Sequence, residues 1–283
     1  MRDGPDRQYS AEWLQVDKPQ PMYDRAIAAV YGSIYRDNPV DSSDIVNDFK
    51  QVFLRYLDAH TLSNIRGVRQ FSWLDVCVGC THFIDDLYQR VGPTNLMVFE
   101  HEYTYHWRLN QDIVYTTIDS LDPNKELLIS MPFPAYGDVH PQMADILDQC
   151  AALSIPVHID GAWISCSRGI DFNFDHPAIK TFAISLSKGG LGNDRVGLRF
   201  ARSRPDGAIT ILNEHNMNCQ SLLHIGMAFM NEIGPEYFWK KYGSAYDQVC
   251  RDFDLTPTKA IHLAKTKHGQ PVGVRPLLRC LVR

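Results

Sequence analysis

Apolar positions along the chain change their period twice. Between Pro21 and Tyr35 they recur at helical spacing, at Met22, Ile27, Val30 and Ile34. Ser42, Ser43 and Asp44 offer an N-cap ahead of an amphipathic helix over 45–57. After Arg69 short apolar runs alternate with helical stretches. Strands are predicted at 72–77, 96–99, 113–115, 126–130, 157–160, 181–185 and 196–201. Helices are predicted at 81–90 and at 141–153, the second opened by Pro141 in its first turn. This alternation implies βαβ units, and so an α/β fold with a mostly parallel sheet flanked by helices. Right-handed crossovers then gather the loops at the strands' carboxyl ends, where a ligand would sit. Beyond Gly207 helical spacing returns at 221–233 and 235–253. The last apolar run, Pro276 to Arg283, reads as a strand carrying arginines. Three regions follow: an N-terminal arm and helices over 1–68, an α/β domain over 69–206, and a reduced C-terminal part over 207–283. The two chain ends are expected to share a small subdomain.

Composition narrows the class. Hydrophobic residues make up 45% and charged residues 22%, which excludes a disordered, collagen-like or coiled-coil chain. With 28 Lys and Arg against 33 Asp and Glu, the net charge of −5 gives no sign of a nucleic-acid surface. No apolar run approaches the ~18–20 residues that cross a bilayer. The first residues, Met-Arg-Asp-Gly-Pro-Asp-Arg, lack an apolar signal core, so a soluble cytoplasmic protein is expected. The seven cysteines are odd in number and scattered, which favours reduced thiols over a disulfide framework. Cys77-Val-Gly-Cys80 has neither a second CxxC nor an HxxxH partner, so it reads as a strand end and its turn rather than a zinc or redox site. His82 and His158 lack metal-ligand spacing, and no metal site is expected. His101 and His106 could face a substrate.

The chemistry concentrates between Val157 and Phe200. Asp160 ends an apolar strand, so its carboxylate emerges at the sheet's carboxyl edge. Lys188 follows the next apolar strand and is trailed by Gly189, Gly190, Gly192 and Arg195. Small residues around a lysine let a flat ligand approach closely. Ser185, Ser187 and Arg195 supply hydroxyl and guanidinium donors suited to a phosphate.

Ser185-Leu-Ser-Lys188, followed by a glycine-rich turn and Arg195-Val-Gly197, resembles the cofactor-lysine motif of fold type I pyridoxal-phosphate enzymes, above all the class I/II aminotransferases. Asp160-Gly-Ala-Trp163 is similar to that family's Asp-x-Ala-Tyr. Gly79-Cys80-Thr81, opening a helix, looks like its phosphate cradle, and Glu102-Tyr-Thr-Tyr105 like its Glu-Pro-Thr-Tyr segment. Met131-Pro-Phe-Pro-Ala-Tyr-Gly137 stands where the family has Asn-Pro-x-Asn-Pro-Thr-Gly. The five motifs span residues 72–200 in the family's order.

The resemblance implies a fold type I enzyme whose cofactor is pyridoxal 5'-phosphate, bound as a Schiff base on Lys188. Asp160 would pair with the pyridine nitrogen. Arg195, Ser185, Ser187 and the amides of Gly79, Cys80 and Thr81 would hold the phosphate. Tyr105 would stack on the ring, or Tyr103 if the register slips by two. Trp163 replaces a tyrosine that donates to the ring's phenolic oxygen. The asparagine that also bonds this oxygen is absent, its slot taken by Pro134, or by Phe133 in a shifted register. Arg279, with Arg275 second, best fits the strand-borne arginine that binds the substrate carboxylate.

The resemblance also implies an amino acid or related amine as substrate and a homodimer with its active site at the interface. Transamination is the leading expectation. Decarboxylation, elimination or racemisation on the same fold is the alternative. A non-catalytic cofactor-binding protein is the reading from another class.

Overall fold

The computed structural model describes residues 9–14, 22, 25–30 and 44–282. The helix predicted over 21–35 therefore lies largely outside the described residues. Residues 25–30 of it are helical, and Met22 and Ile27 are fully buried.

The first long helix is α1 (Ile45–Asp58), which buries Phe49, Phe53 and Leu57 along one face. A short strand β1 (Asn64–Arg66) leads to β2 (Trp73–Cys77) and then to α2 (Gly79–Val91). Next come β3 (Leu96–Phe99), the short α3 (Tyr105–Leu109), β4 (Val114–Thr116), β5 (Glu126–Ser130) and α4 (Met143–Ala152). They are followed by β6 (Val157–Gly161), β7 (Asp171–Asn173), β8 (Ile179–Ser185) and β9 (Gly197–Ala201). The C-terminal part holds α5 (Ala208–Glu214), α6 (Gln220–Glu232), α7 (Tyr237–Asp252), β10 (Thr256–Pro257), β11 (Leu263–Lys265), β12 (Pro271–Gly273) and α8 (Arg275–Leu281).

Seven strands form the central sheet in the order β2-β9-β8-β6-β5-β3-β4. All neighbours from β8 to β4 run parallel, and β9 runs antiparallel to both β2 and β8. The expected mostly parallel sheet is thus present. Its inner strands β5, β6 and β8 are almost continuously apolar and buried, as a sheet covered on both faces requires. Because β2 points the same way as β8 and β6, the carboxyl ends of all three open on one edge.

A buried ionic cluster fixes α2 against this sheet. Arg199 on β9 is fully buried and pairs with Asp75 of β2 and, at 3.0 Å, with Asp86 of α2. Asp86 also accepts from the amide of Ile209 in α5. Removing one partner would leave a buried charge uncompensated, so the cluster locks these elements together.

The terminal strand expected over 276–283 is instead the helix α8. Pro276 starts it in its first turn, and Leu277 and Leu278 pack inward. So short an apolar run carries no period of its own, and its tertiary contacts decide its form. The two-stranded β1–β7 pair and the three-stranded β10–β11–β12 sheet were not evident from the sequence pattern. Among the described residues no helix is long and apolar enough to cross a membrane, and no cluster of three or more metal-ligating side chains occurs.

Candidate active site

The carboxyl ends of β2 and β8, on either side of β9, bring polar side chains together around a hollow. Val78 turns the chain into α2, and Gly79, with φ of 71°, enters the helix at its first position. A side chain at Gly79 would be strained there. Its Cβ would stand 3.1 Å from Ser185 Oγ and 3.3 Å from an Arg195 guanidinium nitrogen. Ser185 Oγ donates to Ser187 Oγ at 2.9 Å and accepts from the Ser187 amide at 3.1 Å. Arg195 donates to Thr81 Oγ1. The first-turn amides of α2 have no partners within the helix, and its dipole favours negative charge. Arg195 Nε is buried in this hollow without a partner among the described residues. A phosphate would answer that orphan donor. Of the sequence candidates, Gly79, Cys80, Thr81, Ser185, Ser187 and Arg195 are thereby brought to one place.

Asp160 lies at the end of β6 and is 4% exposed. Its Oδ1 accepts from the Ala162 amide at 2.9 Å. Burial pushes its carboxyl above the usual range, against hydrogen bonds from the Cys80 thiol and the Ala162 amide and against the charges of Arg195 and Lys188. A buried carboxylate of this kind gains most from a further cationic partner. Both cysteines of the CxxC are buried and free, Cys77 at the end of β2 and Cys80 in the first turn of α2. Burial raises both thiols, Cys77 to about 12.

Lys188 sits in a wide turn over Ser187–Leu191, closed by the Leu191 amide on Leu186 O at 3.1 Å and the Gly192 amide on Ser187 O at 2.9 Å. Gly190 in this turn has φ of 140°, and its Cβ would strike the Phe229 ring of α6 at 2.7 Å. The turn therefore needs a glycine and is pressed between the sheet and α6. The Lys188 charge is felt by Asp160, Cys166 and His262.

His262 was not singled out in the sequence. It is fully buried, with its ring edge-on to Trp163 at 4.9 Å between centroids and its Nδ1 3.4 Å from Cys166 Sγ. Its Nε2 is buried without a partner among the described residues. Burial, followed by the charge of Lys188, holds its pKa far down, so it is neutral at physiological pH. No motif announces it, because it lies on the C-terminal segment before β11.

The two tyrosines separate in role. Their rings stack at 5.9 Å, but Tyr105 donates its hydroxyl to Asp85 of α2 at 2.7 Å. Tyr103, 36% exposed, is held above its usual pKa by burial, then by the charge of Asp160, and is also felt by Arg195 and Cys80. Both tyrosines feel the charge of Arg195, and Tyr103 also feels that of Asp160. His106 is buried beneath, its Nδ1 3.2 Å from the Tyr88 hydroxyl, with burial taking its pKa down to about 4. His158 lies inside the sheet between Thr181 and Glu126, at 2.6 Å from each. His82 accepts from the Val78 amide at 3.2 Å, and His101 is exposed. The side chains of Phe133 and Pro134 bring no donor to the loop after β5. Arg275 and Arg279 ride on α8 rather than on a strand.

No family model matches the chain, and no curated protein matches its sequence. Solved structures do match its fold. An alanine aminotransferase from Pyrococcus furiosus superposes with a TM-score of 0.63 at 11% identity, over 89% of this chain and 76% of that one. A tyrosine aminotransferase from Leishmania infantum gives 0.61 at 13%, over 89% and 81%. The C-S lyase from Staphylococcus hominis, crystallised with bound PLP, gives 0.58 at 10%, over 89% and 74%. The chain has the fold type I architecture of these aminotransferases and lyases.

Proposed function

We propose that this protein is a pyridoxal-phosphate enzyme acting on an amino acid or related amine, with Lys188 as the residue that carries the cofactor. One observation carries the reading. The anion hollow of Gly79, Thr81, Ser185, Ser187 and Arg195 opens beside a buried carboxylate, Asp160, and a lysine whose charge Asp160 feels. An anion, a cationic ring nitrogen and an aldehyde on one flat molecule match these three features. The buried, unpartnered Arg195 Nε and the side-chain-free Gly79 beside it support a phosphate at this place.

In this reading Arg195, Ser185, Ser187 and the α2 amides hold the phosphate. Asp160 keeps the ring nitrogen protonated, and Tyr103 covers the ring. Bound pyridoxal phosphate supplies an electron sink for charge that develops at the substrate α-carbon. Lys188 Nζ would take the substrate α-carbon proton and deliver it elsewhere, as base and then acid. His262, neutral and buried, walls that lysine on the C-terminal side without adding a competing charge. Trp163 can donate from its indole N–H but cannot ionise as a phenol would.

Transamination is the leading reaction, and two of the three structures described are of aminotransferases. Elimination is the second reading, because a C-S lyase shares the fold to a similar degree and no asparagine stands at Pro134. The test is to load purified protein with pyridoxal phosphate, reduce with borohydride and map the labelled peptide. Label on Lys188 is expected, and label elsewhere or none overturns the reading. Assays with an amino donor and a 2-oxo acid then part the two reactions: acceptor-dependent keto acid marks transamination, acceptor-independent release of a leaving group marks elimination.

A further inference from the structure

Glu102 is a buried acid that the proposed chemistry does not use. It lies in the segment between β3 and α3 and is 2% exposed. One of its oxygens accepts from the Ser130 amide. The other accepts from Ser130 Oγ at 2.6 Å and from the Tyr103 amide at 2.9 Å. Ser130 ends β5 and is the register partner of Asp160 on β6, and the Met131 amide donates to Asp160 O at 2.9 Å. Glu102 thus ties the Tyr103 segment to the strand end adjoining Asp160.

We propose that Glu102 is a positioning residue for the ring of the cofactor: it clamps the Tyr103 segment to the strand end beside Asp160 and sets a second carboxylate near Asp160. The proposal rests on the pyridoxal-phosphate reading for its ligand, but the clamp itself is a property of the chain. Asp160 from β6 and Tyr88 from α2 are the titratable groups that face Glu102. The charges of Arg195 and Lys188 act on Asp160. Burial raises the Glu102 carboxyl to about 7, although hydrogen bonds from Ser130 and Tyr103 pull it down and Asp160 adds to the rise. Two carboxylates sharing a buried site resist joint ionisation, and a cation beside them relieves that resistance. A cationic ring bound at Asp160 would therefore favour the charged form of Glu102, and charged Glu102 would favour the protonated ring.

Two variants test this. In ligand-free protein Glu102→Ala should speed amide exchange at Ser130 by roughly tenfold or more, since its acceptor is gone. Glu102→Gln keeps a carbonyl oxygen for that amide and should leave Ser130 protected. In cofactor-loaded protein Glu102→Gln should move the pH midpoint of the visible absorption band downward, by about half a unit or more, because a negative charge that favours the protonated form is lost. A merely structural Glu102 would alter melting but not this midpoint. Unchanged exchange in Glu102→Ala removes the clamp. An unmoved midpoint in fully loaded Glu102→Gln removes the electrostatic role. Failure of the native protein to take up pyridoxal phosphate would instead sink the functional reading, while the exchange data still judge the clamp.

Discussion

Asp160 and Arg195 offer a way to separate grip from chemistry. The guanidinium lines the anion hollow, whereas the carboxylate lies at the end of β6 among Cys80, Ala162 and Lys188. Arg195→Ala should weaken pyridoxal phosphate binding about ten- to hundredfold, the worth of one charge-assisted contact of roughly 1.5–3 kcal/mol. Equilibrium titration of the visible band measures this, and unchanged affinity would place the phosphate elsewhere. Asp160→Ala should lower kcat by about a hundredfold or more while costing far less affinity, since the role proposed for it is electronic. Near-native turnover would remove it from the site. The places of Gly79, Asp160 and Lys188 in the fold were legible in the sequence because each is fixed locally: a glycine opening a helix, an acid at a strand end, a lysine in a turn of small neighbours. His262 was not, because it reaches Trp163 only through the folding back of the C-terminal segment. Glu102 was read only as part of a motif, since its bond to Ser130 spans two strands.

The joint between α1 and α7 gives the elements their own test. Glu236 immediately precedes α7 and accepts from the Thr61 amide, the Leu62 amide, Thr61 Oγ1 at 2.7 Å and Lys240 Nζ at 2.9 Å. Burial alone would raise its pKa, but these donors outweigh it and bring the carboxyl down to about 2. An unfolded glutamate titrates near ~4.3, so between these values the unfolded chain binds more protons. Stability from Glu236 is therefore present above about pH 4.5 and is lost as pH falls toward 2. Thermal melting of Glu236→Gln should fall less steeply than native over that window, and parallel curves would show that Glu236 contributes nothing there. The helix–strand alternation from residue 72 to 201 was readable because buried parallel strands leave unbroken apolar runs. The β10–β11–β12 sheet was not, since its strands are too short to show a period, and α8 was misread for the same reason.

At the scale of the whole molecule, large apolar side chains remain exposed in the single chain: Val78, next to Gly79, at 48%, and Trp107 and Leu109 on α3 at 37% and 40%. Exposed apolar groups often mark an interface, and a twofold dimer is the commonest closed assembly. A homodimer covering these side chains is expected. Light scattering should show a dimer at assay concentration, and Trp107→Glu should dissociate it and loosen the cofactor. A fully active native monomer would defeat the expectation while leaving Lys188 chemistry intact. The antiparallel run of β9 has a separate consequence. Lys188 and Arg195 both belong to the one connection, residues 186–196, that reverses the chain from β8 into β9. The groups assigned to the aldehyde end and the phosphate end of one ligand are therefore spaced by one loop, as by the jaws of a calliper. In the proposed reading, an insertion between these two residues would shift the aldehyde-end lysine against the phosphate-end guanidinium, and so alter the length of ligand that the pair can hold at once.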